Sequence, residues 1–457
     1  MHRARKMTKG WAASALLLVL VAATSLEGVA AVEEPELLVS CPLAPASCLT
    51  FGFTFPGAGS LLAVEGLDMK NGYVLWAETI NNGTDGIATK LGNYKVKLVA
   101  FDDQAMANNT EYYYGQLLNV TDFLLGPYGT SLTDVANKVA HANDRLIMFA
   151  NAQAEEIYNH GYPLIFGVGT SAYHYVDPAV YYLRMRGART AALLYSKAAF
   201  TSSVAQGALN SLVASGAVLE ASSVLSFAEG TLNATTAQQY MRVIKNQDPD
   251  MFFACLLLRD AATLVNATKA IGYRPRAFFM TSAPSEPSFV EAMKKDAWYL
   301  LGPSQWQPSL GYSDQVFGSA ANYAKRFRLR FNEEVSFTAA QSSAAGYVLQ
   351  LGLGAADDPK NQSQVGAALH DLDTIQTFYG PVNFDTAGSN IAKPMVITQI
   401  MPPAKGAVGK VTVVAPEPYN AKRLIYPIPY VYSSASALRP FSLYALLSSF
   451  FLSSPSS

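Results

Sequence analysis

Short apolar segments alternate with helical patterns along most of this chain, and no other feature of the sequence restricts its possible folds as strongly. Strands that are apolar along their whole length are expected when helices cover both faces of a parallel sheet. The alternation therefore predicts an α/β fold with parallel sheets. A first series of strands is predicted at residues 48–53, 94–101, 123–125 and 146–150, and a second series at 164–168, 190–195, 218–224, 251–258, 277–280 and 298–302. The predicted helices lie at residues 67–80, 110–118, 132–143, 178–186, 204–215, 236–246, 261–271, 320–331, 338–352 and 363–372.

Composition supports a packed protein with more than one domain. Hydrophobic residues make up 50% of the 457 residues and charged residues 15%, so the chain can bury sizeable cores. The length allows roughly two or three domains. The net charge of −1 provides no basic surface, which argues against a nucleic-acid partner.

Both ends of the chain differ in character from the rest. Basic residues precede an apolar run at residues 11–23, and small residues follow, which is the order of a secretory signal peptide. We predict that residues 1–31 are this signal and that the protein is secreted or lies on the extracellular face of the plasma membrane. Residues 431–457 contain an apolar run too short to span a bilayer. They are expected to form a disordered tail, with part of an anchor signal or the start of a truncated membrane span as the alternatives.

If the protein is secreted, as predicted, two covalent modifications are expected: a disulfide and N-linked glycosylation. Cys41 and Cys48 lie close together near the start of the mature chain, and in an oxidising compartment they can form a disulfide. Asn-x-Ser/Thr sequons together with a signal peptide predict a glycoprotein. The sequons begin at Asn82, Asn108, Asn119, Asn233, Asn266 and Asn361.

One stretch of the first series, Leu-Leu-Gly-Pro-Tyr-Gly-Thr-Ser, reads as a strand, a tight turn and a helix start. Gly126 and Gly129 allow backbone angles that bring amide groups close to a ligand. Ser131, with Asp134 three positions later, resembles a capping box, and Thr130 is also a good capping residue. The first turn of a helix has free N–H groups and can hold a carboxylate. The alternative is that Ser131 only caps its own helix.

Several motifs, taken in their order and spacing, resemble those of a known family. They are Phe-Thr-Phe-Pro-Gly-Ala-Gly at residues 53–59, Phe-Asp-Asp at 101–103, Phe-Leu-Leu-Gly-Pro-Tyr-Gly at 123–129, Gly-Ala-Arg-Thr-Ala-Ala-Leu-Leu-Tyr at 187–195 and Phe-Tyr-Gly-Pro-Val-Asn-Phe-Asp at 378–385. With these motifs the chain resembles type I periplasmic binding proteins of the leucine/isoleucine/valine-binding family. It is also similar to the ligand-binding ectodomains of membrane receptors.

The resemblance implies two Rossmann-like lobes with parallel central sheets, joined by three crossovers, with the ligand in the cleft between them. Lobe one would comprise residues 48–167 and 302–388, and lobe two residues 168–301 and 389–430. The implied function is extracellular binding of a small polar solute, an amino acid or related amide, with closure of the cleft. The alternative is a cyclase-like receptor ectodomain whose transmembrane part is missing, with a membrane signalling partner.

Candidate site residues lie where strands end, because ligands of α/β sheets bind beyond the carboxyl ends of the strands. By the family's pattern, Thr130 or Ser131 and the loop at Ala152 would receive a carboxylate. Asp260 would bind an ammonium group from the opposite lobe, with Glu286 as the second choice. The predicted ligand-binding set is Tyr128, Thr130, Ser131, Asn151, Ala152, Gln153, Tyr173, Arg259, Asp260, Thr281 and Ser282.

Three of these residues have other possible roles. Arg259 would favour an acidic ligand instead of an amino acid. Arg259 and Asp260 would otherwise simply begin the next helix, with Asp260 as its N-cap. Tyr173, expected to form a wall of the pocket, would otherwise be a core residue.

The sequence argues against an enzyme. It contains no Gly-x-Ser-x-Gly elbow, and no phosphate-binding glycine loop follows the first strand. His141, His160, His174 and His370 are scattered without the spacing of a metal site. We therefore expect no cofactor and no metal.

Overall fold

The computed structural model describes residues 34–41, 44, 47–417 and 419–429. The predicted signal peptide and the predicted C-terminal tail lie outside these residues. The strands are β1 (Glu36–Val39), β2 (Cys48–Phe55), β3 (Ile87–Thr89), β4 (Gly92–Asp102), β5 (Phe123–Leu125), β6 (Ile147–Phe149), β7 (Ile165–Gly167), β8 (Thr190–Ser196), β9 (Val218–Phe227), β10 (Met251–Cys255), β11 (Phe278–Met280), β12 (Leu301–Ser304), β13 (Ser313–Asp314), β14 (Gly318–Ser319), β15 (Ile375–Thr377), β16 (Gly380–Val382), β17 (Val396–Met401) and β18 (Lys410–Ala415). The helices are α1 (Ala63–Gly83), α2 (Ala107–Leu117), α3 (Thr130–Ala142), α4 (Asp177–Met185), α5 (Ala199–Ala214), α6 (Ala234–Gln247), α7 (Leu258–Ala270), α8 (Pro287–Met293), α9 (Ala320–Phe331), α10 (Phe337–Ala355) and α11 (Gln362–Asp371).

The first sheet has the strand order β1-β4-β2-β5-β6-β7, with β3 also paired to β4. The five neighbouring strands β4, β2, β5, β6 and β7 are parallel, whereas β1 and β3 are antiparallel to β4. The strand pattern placed β7 at the start of the second series, which is wrong, whereas the lobe bounds implied by the resemblance placed it in lobe one. Ile165 of β7 pairs with Ile147 of β6, so the strand closes the first sheet.

The second sheet has the order β18-β17-β12-β11-β10-β8-β9, and only its β17 and β18 edge is antiparallel among the described residues. Leu301 of β12 pairs in parallel with Phe279 of β11. The whole of β12 therefore lies in the second sheet. The chain returns to the first lobe after Ser304, slightly later than the boundary expected at residue 302.

Helices pack on the faces of both sheets, and each lobe has its own buried core. The strands are buried along most of their length, as the unbroken apolar segments predicted. The predicted α/β fold with two lobes and parallel central sheets is thereby confirmed.

Close packing of α1 against α10 leads to a stability prediction. A Cβ atom at Gly72 would lie 2.2 Å from the backbone oxygen of Ala339, so alanine cannot fit without separating the two helices. We expect Gly72→Ala to lower the free energy of unfolding by about 1–3 kcal/mol in chemical denaturation. Gly115 of α2 has open space around it, and Gly115→Ala is expected to raise stability by up to about 1 kcal/mol. Equal effects of the two substitutions would contradict this packing.

Three chain segments cross between the lobes, and hydrogen bonds connect them. The side chain of Gln305, on the second crossover, accepts from the Thr170 amide at 2.9 Å and from the Tyr379 hydroxyl at 2.8 Å. Its amide group donates to the Tyr175 hydroxyl at 2.7 Å and to the Thr170 carbonyl at 3.2 Å. The Thr170 hydroxyl donates to the carbonyl of Lys393, on the third crossover, at 3.0 Å. The hinge is therefore a buried polar network in which Gln305 uses both its donor and its acceptor atoms.

The covalent features predicted for export fall largely on described residues. Cys41 and Cys48 form a disulfide. The six sequon asparagines are all exposed, so a glycan would have room at each, and glycosylation itself stays a prediction. Within the described ranges, no helix is both long and apolar enough to span a membrane.

Candidate functional site

A cavity of about 400 Å³ lies between the two sheets and is lined by residues of both lobes. The first lobe contributes the N-terminal ends of α1, α3 and α10, and the second lobe those of α5 and α7. This is the position at which open α/β sheets place their ligands. Seven of the eleven predicted ligand-binding residues line the cavity: Tyr128, Thr130, Ser131, Asn151, Gln153, Arg259 and Ser282.

The start of α3 forms one wall, but its capping differs from the prediction. Gly129, at φ 89°, is the N-cap residue, and no side chain caps the helix, so the capping box expected from Ser131 and Asp134 is wrong. Glycine reaches this backbone conformation without the strain that Cβ causes. The first amide to bond back along the helix is that of Thr133, to the Gly129 carbonyl at 3.0 Å. The N–H groups of residues 130–132 therefore have no intrahelical partner.

Two hydroxyl groups lie beside these amides. Ser131 is exposed to solvent in the cavity wall. Thr130 is buried, and its hydroxyl oxygen has no hydrogen-bond partner among the described residues. Since a buried hydroxyl without a partner loses roughly 1–3 kcal/mol of solvation, this wall is suited to a ligand that accepts hydrogen bonds.

The loop after β6 supplies the adjoining part of the wall. The Asn151 side chain donates to the Ser342 hydroxyl at 2.9 Å, and that of Gln153 donates to the Ala150 carbonyl at 2.7 Å. Both side chains are therefore fixed in position by the first lobe. The Gln153 carbonyl also accepts the amide of Ala172 at 2.7 Å, which joins this loop to the first crossover.

Across the cavity, Arg259 forms an ion pair with Glu229 at 2.7 Å. Both side chains line the cavity, and the pair leaves the guanidinium little net charge with which to attract an acidic ligand. The alternative that Arg259 selects an acidic solute is therefore not favoured by this geometry. Ser282, at the end of β11, completes the part of this wall that the sequence predicted.

Four predicted residues do not line the cavity. Ala152 is packed in the first lobe's core, and Tyr173 accepts a hydrogen bond from Asn210 on α5. The buried hydroxyl of Thr281 is hydrogen-bonded to the backbone amide and carbonyl of Leu256, where it joins the ends of β10 and β11. Asp260 is the third residue of α7, after N-cap Leu257, so it is not the N-cap. One Asp260 carboxylate oxygen is buried without a partner.

Sequence reasoning missed several residues of the cavity. Tyr175, two positions beyond the predicted Tyr173, forms part of the wall, and its burial next to Gln305 explains the difference. Glu65 in the first turn of α1 also lines the cavity, as does Phe200 at the start of α5. An acidic residue in the first turn of a helix usually only complements the helix dipole, so no sequence pattern distinguishes Glu65 from other such residues.

Three carboxyl groups near Tyr128 give this end of the cleft an unusual electrostatic character. Burial raises the pKa of Glu65 and raises that of Asp68 to about 7. Burial and the nearby Asp68 and Glu65 also raise the pKa of Glu286 well above its ordinary value. Glu65 and Asp68 lie on α1 of the first lobe, whereas Glu286 precedes α8 in the second. Carboxyl groups from opposite lobes therefore interact across the cleft, and burial raises the pKa of each, which favours its neutral form.

Comparison with known proteins matches this architecture. A family model described as a periplasmic binding protein matches residues 49–407. The leucine binding protein LivK of Thermotoga maritima has a TM-score of 0.68 and 13% identity over 80% of this chain and 98% of its own. The substrate binding protein LivJ of Streptococcus pneumoniae, a branched-chain amino acid transporter component in complex with isoleucine, has a TM-score of 0.65 and 16% identity, covering 80% and 99%.

A third solved structure carries a different ligand. The ABC transporter solute binding protein of R. palustris, in complex with benzoate, has a TM-score of 0.64 and 17% identity over 81% of this chain and 98% of its own. At these identities the likeness concerns the fold. The ligand of this chain has to be argued from its own residues.

Proposed function

Because this chain belongs to the periplasmic binding protein family, we propose that it binds a small polar solute, an amino acid or a related amide, in the cleft between its lobes. The observation that carries the proposal is the cavity of about 400 Å³ lined by both lobes, with the unpaired start of α3 in its wall. A cavity of this size is within the range of small-molecule sites.

The start of α3 is suited to a carboxylate or a carbonyl group. The amides of residues 130–132 have no intrahelical partner, and the Thr130 hydroxyl is an additional donor. An anionic or polar acceptor at this position would satisfy these groups and gain from the helix dipole. The fixed side chains of Asn151 and Gln153 would border the same group.

Binding of a solute by both lobes would shift the protein towards a closed state, because the ligand gains its full set of contacts only there. The three crossovers and their Gln305 network form the hinge of this motion. The receptor-ectodomain alternative is not proposed, since the three solved structures described above are named as binding proteins, two of them transporter components.

A thermal-shift screen tests the proposal directly. A ligand that binds only the folded state raises the melting temperature by mass action, by an amount that grows with its concentration over Kd. We expect at least one member of a panel of amino acids, amides, ureas and small carboxylates to raise Tm. If no member of the panel did so at millimolar concentration, the proposed function would be wrong.

Thr130→Val tests the carboxylate position within this function. Valine has the shape of threonine but lacks the hydroxyl, so the substitution removes a donor without leaving a cavity. A hydrogen bond to a charged group contributes about 1.5–3 kcal/mol, and we expect the affinity for the best panel ligand to fall about tenfold in calorimetry. Thr263→Val, on α7 outside the cavity, is the control and is expected to leave the affinity within about twofold. Equal affinities for the two variants would remove Thr130 from the site.

A further inference from the structure

The cleft contains an acidic side chain that has no ion-pair partner among the described residues. Glu65 lines the cavity and is only 6% exposed. Among the described residues, its carboxylate accepts no hydrogen bond except from its own backbone amide, and it forms no ion pair. A buried carboxylate without a partner is costly, so a binding partner for Glu65 would lower the free energy of the closed state.

The only basic side chain among the described residues that line the cavity interacts with Glu65 electrostatically but does not pair with it. It is Arg259, whose guanidinium is already 2.7 Å from the Glu229 carboxylate. The two residues form a nearly neutral pair, and Glu65 is left as the net charge of the lining. The cavity itself therefore has an excess of negative charge.

Two further carboxyl groups, those of Asp68 and Glu286, interact electrostatically with Glu65, and burial raises the pKa of both, which favours their neutral forms. Glu286 of the second lobe is 3% exposed, and its side chain forms no hydrogen bond or ion pair among the described residues. Asp68, one turn along α1 from Glu65, lies close enough to interact electrostatically with Glu286. No group of three acidic, histidine or cysteine side chains in the described part of the chain is arranged to hold a metal ion. The geometry fits an organic cation better than a metal.

On the basis of the function proposed above, we infer that the solute is a cationic amino acid whose side-chain ammonium or guanidinium group lies against Glu65. The α-carboxylate would take the start of α3. One α-ammonium group would then balance the ligand's own carboxylate and leave the excess negative charge of the cleft unmatched. A second cationic nitrogen on the ligand supplies the missing charge.

Lysine and norleucine test this inference, because they have the same chain length and differ in the terminal ammonium group. By calorimetry at pH 7.5, we expect the wild-type protein to bind lysine at least tenfold more tightly than norleucine. Arginine and its neutral analogue citrulline should show the same order. These comparisons need no variant, so they do not depend on the folding of any substituted protein.

Glu65→Gln tests the position of the cation. Glutamine keeps the shape and can still accept a hydrogen bond from the α1 backbone, but it carries no charge. We expect lysine affinity to fall at least tenfold and norleucine affinity, if measurable, to change less than threefold. Glu111→Gln, at an exposed site on α2, is the matched control, and Glu291→Gln on α8 is the control for a parallel Glu286→Gln variant.

The outcomes separate the two proposals. If neutral amino acids or amides bind as tightly as lysine, or if Glu65→Gln weakens lysine and norleucine equally, the inference is wrong while the proposed function survives. Equal weakening of both ligands would mean that Glu65 acts on a group that they share, such as the α-ammonium group. If no amino acid or amide binds at all, both proposals fail.

Discussion

Replacing Lys393 by methionine is expected to raise the free energy of unfolding by about 2–3 kcal/mol at pH 6, and by progressively less as the pH rises towards 10. Lys393 is 4% exposed on the third crossover, and no carboxylate of the described residues pairs with it. Burial lowers its pKa from 10.5 to about 7. A charged ammonium at this position therefore costs about 4–5 kcal/mol relative to an exposed one.

Part of this cost is already offset in the folded protein. The ammonium group donates to the Tyr379 carbonyl at 2.7 Å and lies 4.2 Å and 5.0 Å from the ring centroids of Tyr379 and Tyr312. Methionine cannot form these interactions, which together stabilise the folded protein by about 2 kcal/mol. The expected gain is therefore smaller than the burial cost alone.

The direction of the pH dependence follows from proton binding. Below pH 7 both the folded and the unfolded protein hold the Lys393 proton, and the burial cost is fully present. Between pH 7 and about 10.5 only the unfolded protein holds it, so the stability of the wild type rises with pH in this window. The difference between Lys393→Met and the wild type should shrink over the same window.

Urea denaturation at pH 6, 8 and 9.5 measures this difference. Lys325→Met, at an exposed position on α9, is the control and should change stability by no more than about 0.5 kcal/mol at any of these pH values. A loss of stability in Lys393→Met at pH 6 would mean that the contacts with Tyr379 and Tyr312 outweigh the burial cost.

The fold could be predicted from the sequence because its signals are local and repeated. Segments such as β10 are apolar along their length, and each is followed by a helical pattern, so parallel sheets with covered faces were the expected arrangement. The end of β5 can be predicted because Gly-Pro-x-Gly at residues 126–129 interrupts an apolar run, which is typical of a turn. Pairing is not local, however. The local pattern of residues 164–168 did not specify that β7 would join the first sheet instead of the second, and only the resemblance to a family placed it in lobe one.

The site could be predicted only where it follows a strand. The residues after β5 and β6 line the cavity, since parallel strands end at one edge of a sheet. Glu65 lies at the N-terminus of a long helix, where neither spacing nor composition distinguishes it from a surface acid. Tyr173 and Tyr175 are two residues apart, and only the contact of Tyr175 with Gln305 selects the second. These contacts bridge segments more than a hundred residues apart, beyond the reach of local patterns.

Asp68→Asn is expected to raise the free energy of unfolding by up to about 4 kcal/mol at pH 8 and to leave it nearly unchanged at pH 4. Burial and, to a smaller extent, the nearby carboxylates of Glu333 and Glu65 raise the Asp68 pKa from 3.8 to about 7, against a hydrogen bond from Ser336. Asparagine keeps an acceptor for Ser336 but cannot become charged. It therefore removes the cost of ionising this position.

The pH dependence of stability that Asp68 causes has the opposite sign to that caused by Lys393. Below pH 4 both states of the wild type hold the Asp68 proton. Between about pH 4 and 7 only the folded state holds it, so wild-type stability falls as the pH rises, and above pH 7 the full cost is present. The gain of Asp68→Asn should grow through this window and then level off. Asp373→Asn, at an exposed site beyond α11, is the control and should show no such growth.

The costs of Asp68 and Lys393 overlap at neutral pH. The Asp68 cost is complete above about pH 7, and the Lys393 cost begins to decline only above that value. With other titrations held equal, a variant that combines Asp68→Asn with Lys393→Met should gain the most unfolding free energy near pH 7, where both costs are close to their full size.

A cationic solute beside Glu65 would reduce the repulsion that Asp68 and Glu286 exert on each other, so ligand should diminish the stability gained from Asp68→Asn but not that gained from Lys393→Met. Melting the two single variants with and without lysine at pH 7.5 measures this, and an equal effect of lysine on both variants would contradict it.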